Sequence, residues 1–360
     1  MNDFFLKAKE QYQQNFPLVL YRKPNSDCII GMFQQNDNLY EVVDFTENGF
    51  VFASFDGNKK CLIPNEHSEI KQFQFDKKAI IEAENEFVFP DEKVKTDFEL
   101  LVAKGILAIE NNDFQKVVLS RKESIELSDF DLVEVFDKLV QLYPTTFAYC
   151  FFHPKVGIWM GATPEQLLKV EDESFKTVAL AGTQKNTGNE EVVWQDKEKQ
   201  EQQFVTDFIV AELNKVSKSI LVSKPYSVKA GNIWHIKTDI SGQLNSARNL
   251  KEVIDLLHPT PAVCGLPKQE SQKFILENEN YDRTFYTGFL GEMNSTVSTE
   301  KVSSDLFVNL RSMEIEFDWA SQKAKVNLFM GCGITKDSIP ENEWEESVNK
   351  SMTMKRVLNG

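Results

Sequence analysis

The sequence predicts an α+β protein built on large antiparallel sheets. Apolar runs of strand length, bounded by polar turn clusters, recur through most of the 360 residues. Stretches of helical periodicity fall between them, and the two kinds do not alternate in the strand–helix–strand rhythm that a parallel sheet requires.

In the first third, CIIGMF, NLYEVVDF and GFVFASF are short apolar runs separated by polar clusters at 34–38 and 56–60, the pattern of antiparallel strands joined by turns. The organisation changes near residue 90. From 93 to 111, Phe98, Leu101, Ile106 and Ile109 recur at helical spacing, and this helix leads into a strand, KVVLSRKESIEL. Further strands are expected at TFAYCFFHP, GIWMGATP, SFKTVALAGT, IWHIKTDISGQL, YTGFLGEMN, SDLFVNLRSMEIEF and KVNLFMGCGIT, with helices at 129–142, 196–217, 249–257, 267–279 and 341–358. No repeat, low-complexity tract or Gly/Pro-rich linker marks a boundary. Residues 1–360 are therefore read as a single domain in which 1–92 add edge strands and 93–360 carry the functional motifs.

Composition narrows the function classes. With 41% hydrophobic residues, 26% charged residues and 28 Phe, the chain can fill a sizeable core. A formal net charge of −15 argues against a nucleic-acid surface, which needs clustered Lys and Arg. An anionic substrate would need a local positive island or a bound metal. The N-terminus, MNDFFLKAKEQYQQNF, lacks the apolar core of a signal peptide, and no apolar run approaches the ~20 residues of a membrane span. A cytoplasmic protein with no membrane partner is expected. The five Cys are widely spaced without a CxxC, so they read as small buried hydrophobes rather than a disulfide or zinc framework.

Two acid pairs stand out: Glu198 with Glu201, and Glu343 with Glu346. On a helix, i and i+3 share a face, so each pair offers two carboxylates to one point. Two such helices facing each other would form a cage for a hard cation, and carboxylate-only ligation suits Mg²⁺. Taken alone, either pair also fits a solvated face in a chain with 55 acidic residues.

The surrounding motifs bear on that choice. KVVLSR at 116–121, GATPEQLL at 161–168, ALAGT at 179–183, the acidic DKEKQEQQFV at 196–205, LHPTPAVCGLP at 257–267, YDRTFYTGFLG at 281–291, LFVNLRSMEI at 306–315, and LFMGCGI followed by ENEWEESVNK resemble the chorismate-binding enzyme family. That family includes isochorismate synthases, salicylate synthases, anthranilate synthase large subunits and aminodeoxychorismate synthases. The match runs from about residue 95 to the end in the family's motif order. It implies two large, packed, largely antiparallel sheets flanked by helices, as in anthranilate synthase component I.

The resemblance also implies roles. Anthranilate synthases resemble FQVVLS, whereas isochorismate and salicylate synthases carry Lys where this chain has Lys116. Adding water at C2 of chorismate needs a base, which a Lys can be if burial or a cationic neighbour lowers its pKa; a Gln cannot serve. Glu165 matches the family's general acid, protonating the departing C4 hydroxyl, and desolvation should raise its pKa. As a residue after Pro, it also fits a helix N-terminus stabilised by the dipole. Ala181 leaves no amine where aminodeoxychorismate synthases place a nucleophilic Lys. By the same carry-over, Glu201 and Glu346 ligate Mg²⁺ directly, with Glu198 and Glu343 reaching it directly or through water. Arg311 and Lys350 should hold the enolpyruvyl carboxylate, helped by Tyr286 and the backbone near Gly331 and Gly333. Gly182 is expected among the substrate-binding residues, His235 lines the pocket near the reacting ring and the metal-bound carboxylate, and Ala262 and Val263 form an apolar wall. Relatives tend to have His just after the metal-ligating Glu, where this chain has Gln202; altered metal orientation would follow if that His matters.

The expected activity is an Mg²⁺-dependent isochorismate synthase serving menaquinone or siderophore biosynthesis. A salicylate synthase is the nearest alternative. An anthranilate synthase component and a non-catalytic chorismate binder lie further off. No amidotransferase subunit is expected, and a monomer fits the family's water-using members.

Overall fold

The structure, a computed structural model, describes residues 3–76, 92–185, 192–230, 233–246, 250–299, 301–318, 320–321 and 323–358. The change of organisation expected near residue 90 and the first residue of the 249–257 helix lie outside them. The chain opens with α1 (Asp3–Gln13), β1 (Leu18–Arg22), β2 (Cys28–Gln34), β3 (Tyr40–Glu41), β4 (Gly49–Ala53), β5 (Lys60–Pro64) and β6 (Ser68–Gln74). Next come α2 (Glu92–Glu110), β7 (Lys116–Leu127), α3 (Leu132–Leu142), β8 (Phe147–His153), β9 (Gly157–Thr163), β10 (Gln166–Glu171) and β11 (Ser174–Lys185). The middle holds α4 (Asp196–Leu213), β12 (Ser217–Val222), β13 (Tyr226–Ala230), β14 (Ile233–Leu244), α5 (Leu250–Leu257), β15 (Gly265–Leu266) and α6 (Lys268–Asn278). Four strands, β16 (Phe289–Ser295), β17 (Ser303–Val308), β18 (Ser312–Asp318) and β19 (Lys323–Ile334), precede α7 (Pro340–Leu358).

The strands form two sheets, ordered β15-β7-β19-β18-β9-β8-β1-β2-β6 and β12-β14-β11-β10-β17-β16-β4-β5-β3, with β13 pairing β14. The strands of the first 76 residues take one end of each. Strand β8 shows why the runs are apolar throughout rather than alternating. Its Phe147, Tyr149 and Phe151 join an aromatic layer with Phe52, Trp159 and Phe285, while Ala148, Cys150 and Phe152 join the core beneath α1, α3 and α7. With both faces covered, neither can be polar. In the aromatic layer, Phe52 stacks on Phe151 at 4.5 Å and on Phe285 at 4.4 Å between ring centroids.

Several boundaries differ from the sequence reading. SDLFVNLRSMEIEF is two strands, β17 in one sheet and β18 in the other. The chain crosses between sheets at Asn309, Leu310 and Arg311. Buried Asn309 anchors the crossing by donating to Phe285 O at 2.8 Å and accepting from the Tyr149 hydroxyl at 2.6 Å. Apolar pattern could not show this switch, because both halves are buried. NLYEVVDF shrinks to β3, after which Val43 is 78% exposed and Phe45 takes a φ of 66°. The helix expected from 129 starts at Leu132 because the Asp131 side chain accepts from the Val133 and Glu134 amides. The one expected to reach 217 ends at Leu213, before β12, and the strand expected from Tyr286 begins at Phe289.

Candidate active site

Residues from both sheets, α4 and α7 line one cleft that encloses about 720 Å³ of empty space, its open mouth included. The structure brings twelve of the expected site residues to its walls. They are Glu165, Gly182, Glu201, His235, Ala262 and Val263, together with Tyr286, Arg311, Gly331, Gly333, Glu346 and Lys350. Lys116 sits immediately behind the wall, Glu343 lies beside Glu346, and Glu198 turns away.

Strand β7 carries Lys116, which is fully buried with its Nζ 3.0 Å from Glu201 Oε1. Its neighbour is thus an anion, not the cation considered from sequence. Glycine at 333 on the adjacent β19 makes this approach possible: a Cβ there would lie 2.2 Å from Glu201 Oε1 and 3.2 Å from Lys116 Cε. Burial opposes ionisation of Glu201, but Lys116 first and then Lys350 and Lys197 outweigh it and hold the carboxyl below its usual range.

Glu165 follows Pro164 in the connection between β9 and β10, so the helix N-terminus considered from sequence does not form. Desolvation pushes its carboxyl up to about 8 against the weaker opposing pull of Lys116 and Lys350. Gly182, with a φ of 71°, marks a shift of register between β11 and β14. Its carbonyl lies 2.9 Å from His235 Nδ1, which fixes the proton there, while buried Nε2 has no partner among the described residues. Burial, then Arg311 and Lys350, push this imidazole down to about 3, so it is neutral.

Arg311 and Lys350 form the positive island that a chain of net charge −15 needs to receive an anion. The sheet crossing holds Arg311 at a left-handed φ of 49°. Its guanidinium makes one long hydrogen bond among the described residues, to Thr353 Oγ1 at 3.5 Å, which leaves most of its donors free. Lys350 donates to Gly331 O at 2.8 Å and pairs with Glu346. Helix α7 is held on β7 by Arg121, whose guanidinium lies 4.6 Å over the ring of Trp344, next to Glu343, and bonds the Oγ of Ser347, next to Glu346, at 2.8 Å. Arg283 ties the apolar wall to the same strand, bonding Val263 O at 3.0 Å and Val118 O at 2.7 Å.

The acids divide unevenly. Ligand atoms of Glu343, Glu346 and Cys332 lie within 4.8 Å of one another, and Glu201 approaches from α4. The Lys197 Nζ is 2.7 Å from Glu343 Oε1. Glu198 instead accepts from the Gln195 amide at 3.1 Å in a capping box, so the two acids of α4 do different work. The remaining donor set fits a hard cation. Burial pushes the Cys332 thiol well up, keeping it from serving as a thiolate, while burial and the charge of Glu346 push the Glu343 carboxyl up despite Lys197. Gln202 points elsewhere: its amide donates to Thr206 Oγ1 at 2.9 Å and Thr238 Oγ1 at 2.8 Å in the core behind the cleft.

The sequence reading missed Val118, Pro164, Thr183, Thr287 and Leu310 as lining residues. Val118 was within reach, since it shares a strand face with Lys116. Thr287 and Leu310 depend on turns that carry no periodic signal.

Comparison with known proteins follows the same lines. The family described as chorismate binding enzyme matches residues 51–359. Isochorismate synthase EntC of Escherichia coli strain K12 is 30% identical over 274 residues, 73% of this chain and 67% of that protein. Isochorismate synthase MenF of Pasteurella multocida strain Pm70 is 30% identical over 269 residues, 71% of this chain and 60% of that protein. The solved structure of MenF, the menaquinone-specific isochorismate synthase of Escherichia coli, superposes with a TM-score of 0.80 at 21% identity, covering 99% of this chain and 92% of that one.

Proposed function

This chain belongs to the chorismate-binding enzyme family, and from that premise we propose that it is an Mg²⁺-dependent isochorismate synthase, interconverting chorismate and isochorismate. The observation that carries the reading is a buried Lys116 behind the cleft wall, its charge acting on a buried carboxyl at 165 that lines the cleft and keeps its proton near neutrality. In this reading Lys116, in its neutral form and not as the ammonium that pairs with Glu201, takes a proton from the water entering at C2, and Glu165 protonates the hydroxyl leaving C4. Arg311 and Lys350 hold the enolpyruvyl carboxylate by charge-assisted bonds, with the Tyr286 hydroxyl alongside. Neutral His235 presents the bare Nε2 to the ring side of the cleft. Glu201 and Glu346 would hold Mg²⁺ with Glu343 nearby, and the cation would supply positive charge to the substrate's other carboxylate. Isochorismate so made would feed menaquinone or siderophore biosynthesis.

The test is product analysis of purified protein with chorismate and Mg²⁺. A mixture of chorismate and isochorismate that is lost on chelation supports the reading. Salicylate with pyruvate would make the protein a salicylate synthase, and unchanged chorismate would remove the proposed chemistry.

A further inference from the structure

We propose that Lys197 is a tethered counter-ion of the acidic cleft: its ammonium holds Glu343 when no divalent cation is bound, and it must leave for one to enter. The inference rests on the Mg²⁺ reading above and concerns how that site is filled.

Three acids at the cleft each have their own lysine. Glu201 pairs with Lys116 at 3.0 Å, Glu343 with Lys197 at 2.7 Å, and Glu346 with Lys350. Three negative charges are thereby balanced by three positive ones. Without that balance, Glu343, only 2% exposed and with Glu346 beside it, would be a buried carboxylate facing a like charge.

The three lysines are not equally free to move. Lys116 rises from the interior of β7 and is fully buried, and Lys350 is also bonded to Gly331 O. Lys197 lies in the first turn of α4, its side chain is 28% exposed, and its hydrogen bond to Glu343 is its only one among the described residues. Its ammonium can swing into water by rotating its own flexible stem, with no change in the backbone. It also lies within the field of Glu201 and Glu346 as well as Glu343. It therefore occupies the electrostatic position that a metal shared by these carboxylates would take, and the two cations exclude each other.

A competing cation and a scaffolding one make opposite predictions. If Lys197 competes, removing its charge tightens metal binding. If it instead holds Glu343 in place for the metal, removal weakens it. The experiment is calorimetric titration with Mg²⁺ in the absence of chorismate, repeated with Mn²⁺ by electron paramagnetic resonance of the free ion. It uses the full chain as wild type, Lys197→Met, Lys197→Gln and Lys199→Met. Lys199 is a control for charge loss on the same helix turn, since its side chain is 61% exposed and paired only loosely with Asp196 at 3.8 Å. Taking a unit charge from a few ångströms away, in surroundings between water and protein interior, should tighten binding on the order of tenfold. Both Lys197 variants should show this, and Lys199→Met should change affinity by less than about twofold. Melting temperature gives an independent reading. Metal-free Lys197→Met should melt below wild type, and saturating Mg²⁺ should close the gap. Lys197→Gln keeps a hydrogen-bond donor for Glu343 should the Met variant fold poorly. Saturable wild-type binding with unchanged or weaker binding in the variants overturns the role of Lys197. Absence of saturable binding in wild type overturns the Mg²⁺ reading, and the proposal with it.

Discussion

Glu165 and Glu201 share one cleft, yet their carboxyls are pushed in opposite directions. Desolvation dominates at Glu165, which rises to about 8, whereas an ammonium at 3.0 Å reverses it at Glu201. Environments that drive two carboxyls apart permit one to act as an acid while the other stays an anion. The assignment has a pH signature. If Glu165 donates its proton in catalysis, kcat of the wild type falls as pH rises through about 8, and Glu165→Gln lowers kcat while spoiling that limb of the profile. A variant that changes KM alone would make Glu165 a positioning group. Stability carries the same information with a definite sign. A carboxyl whose folded pKa lies above its unfolded value of 4.5 keeps its proton in the fold after the unfolded chain has released it. Wild type therefore loses stability from this group as pH rises from 4.5 to about 8, and Glu165→Gln does not. The melting temperature of the variant relative to wild type should increase between pH 5 and pH 9. For Lys116, replacement by Gln should lower hydration by at least about 100-fold while calorimetry still detects chorismate binding. Near-normal water addition in that variant would remove Lys116 from the base role.

At the scale of elements, β19 and α4 approach so closely that one glycine decides whether a carboxylate reaches the cleft. The Cβ of Gly333→Ala would fall 2.2 Å from Glu201 Oε1, the tip of a flexible side chain. That side chain can move aside, so the melting temperature should change little, while the Mg²⁺ concentration for half-maximal activity should rise severalfold or more. An unchanged Mg²⁺ titration would take Glu201 out of the metal site. The helices carrying the acids were legible because their i, i+3 spacing survives on any regular helix. What spacing could not show is that Glu198 would spend its carboxylate on the capping box of α4. Local backbone demand at a helix start competes with function for the same side chain.

Across the whole molecule, the aromatic layer between the sheets is what sets the two halves of the cleft against each other. Phe52 is fully buried at its centre, stacked on Phe151 and on Phe285, the residue before Tyr286. Phe52→Ala should cost about 3–5 kcal/mol, the range for truncating a buried aromatic side chain, and urea unfolding would measure it. Because Phe285 loses its stacking partner, KM for chorismate should rise as well. A stability loss with unchanged kinetics would show that the layer supports the fold without setting the cleft.

The α+β class, most of the strands and twelve of the residues that line the cleft could be read from the sequence. Apolar periodicity depends on nearest neighbours along the chain, and the motifs are local strings. The strands that escaped notice, among them β6 and β12, are short or largely polar, so burial leaves little periodic trace in them. Tertiary structure alone decided the sheet switch at Asn309–Arg311, the sealing of Lys116 behind Glu201, and the pairing of Glu201, Glu343 and Glu346 each with a lysine. Those features join residues 85 or more positions apart, or are written in a single turn, except for Glu346 with Lys350. Their energies depend on burial and on charge separation, and neither quantity exists until the two sheets have closed on each other.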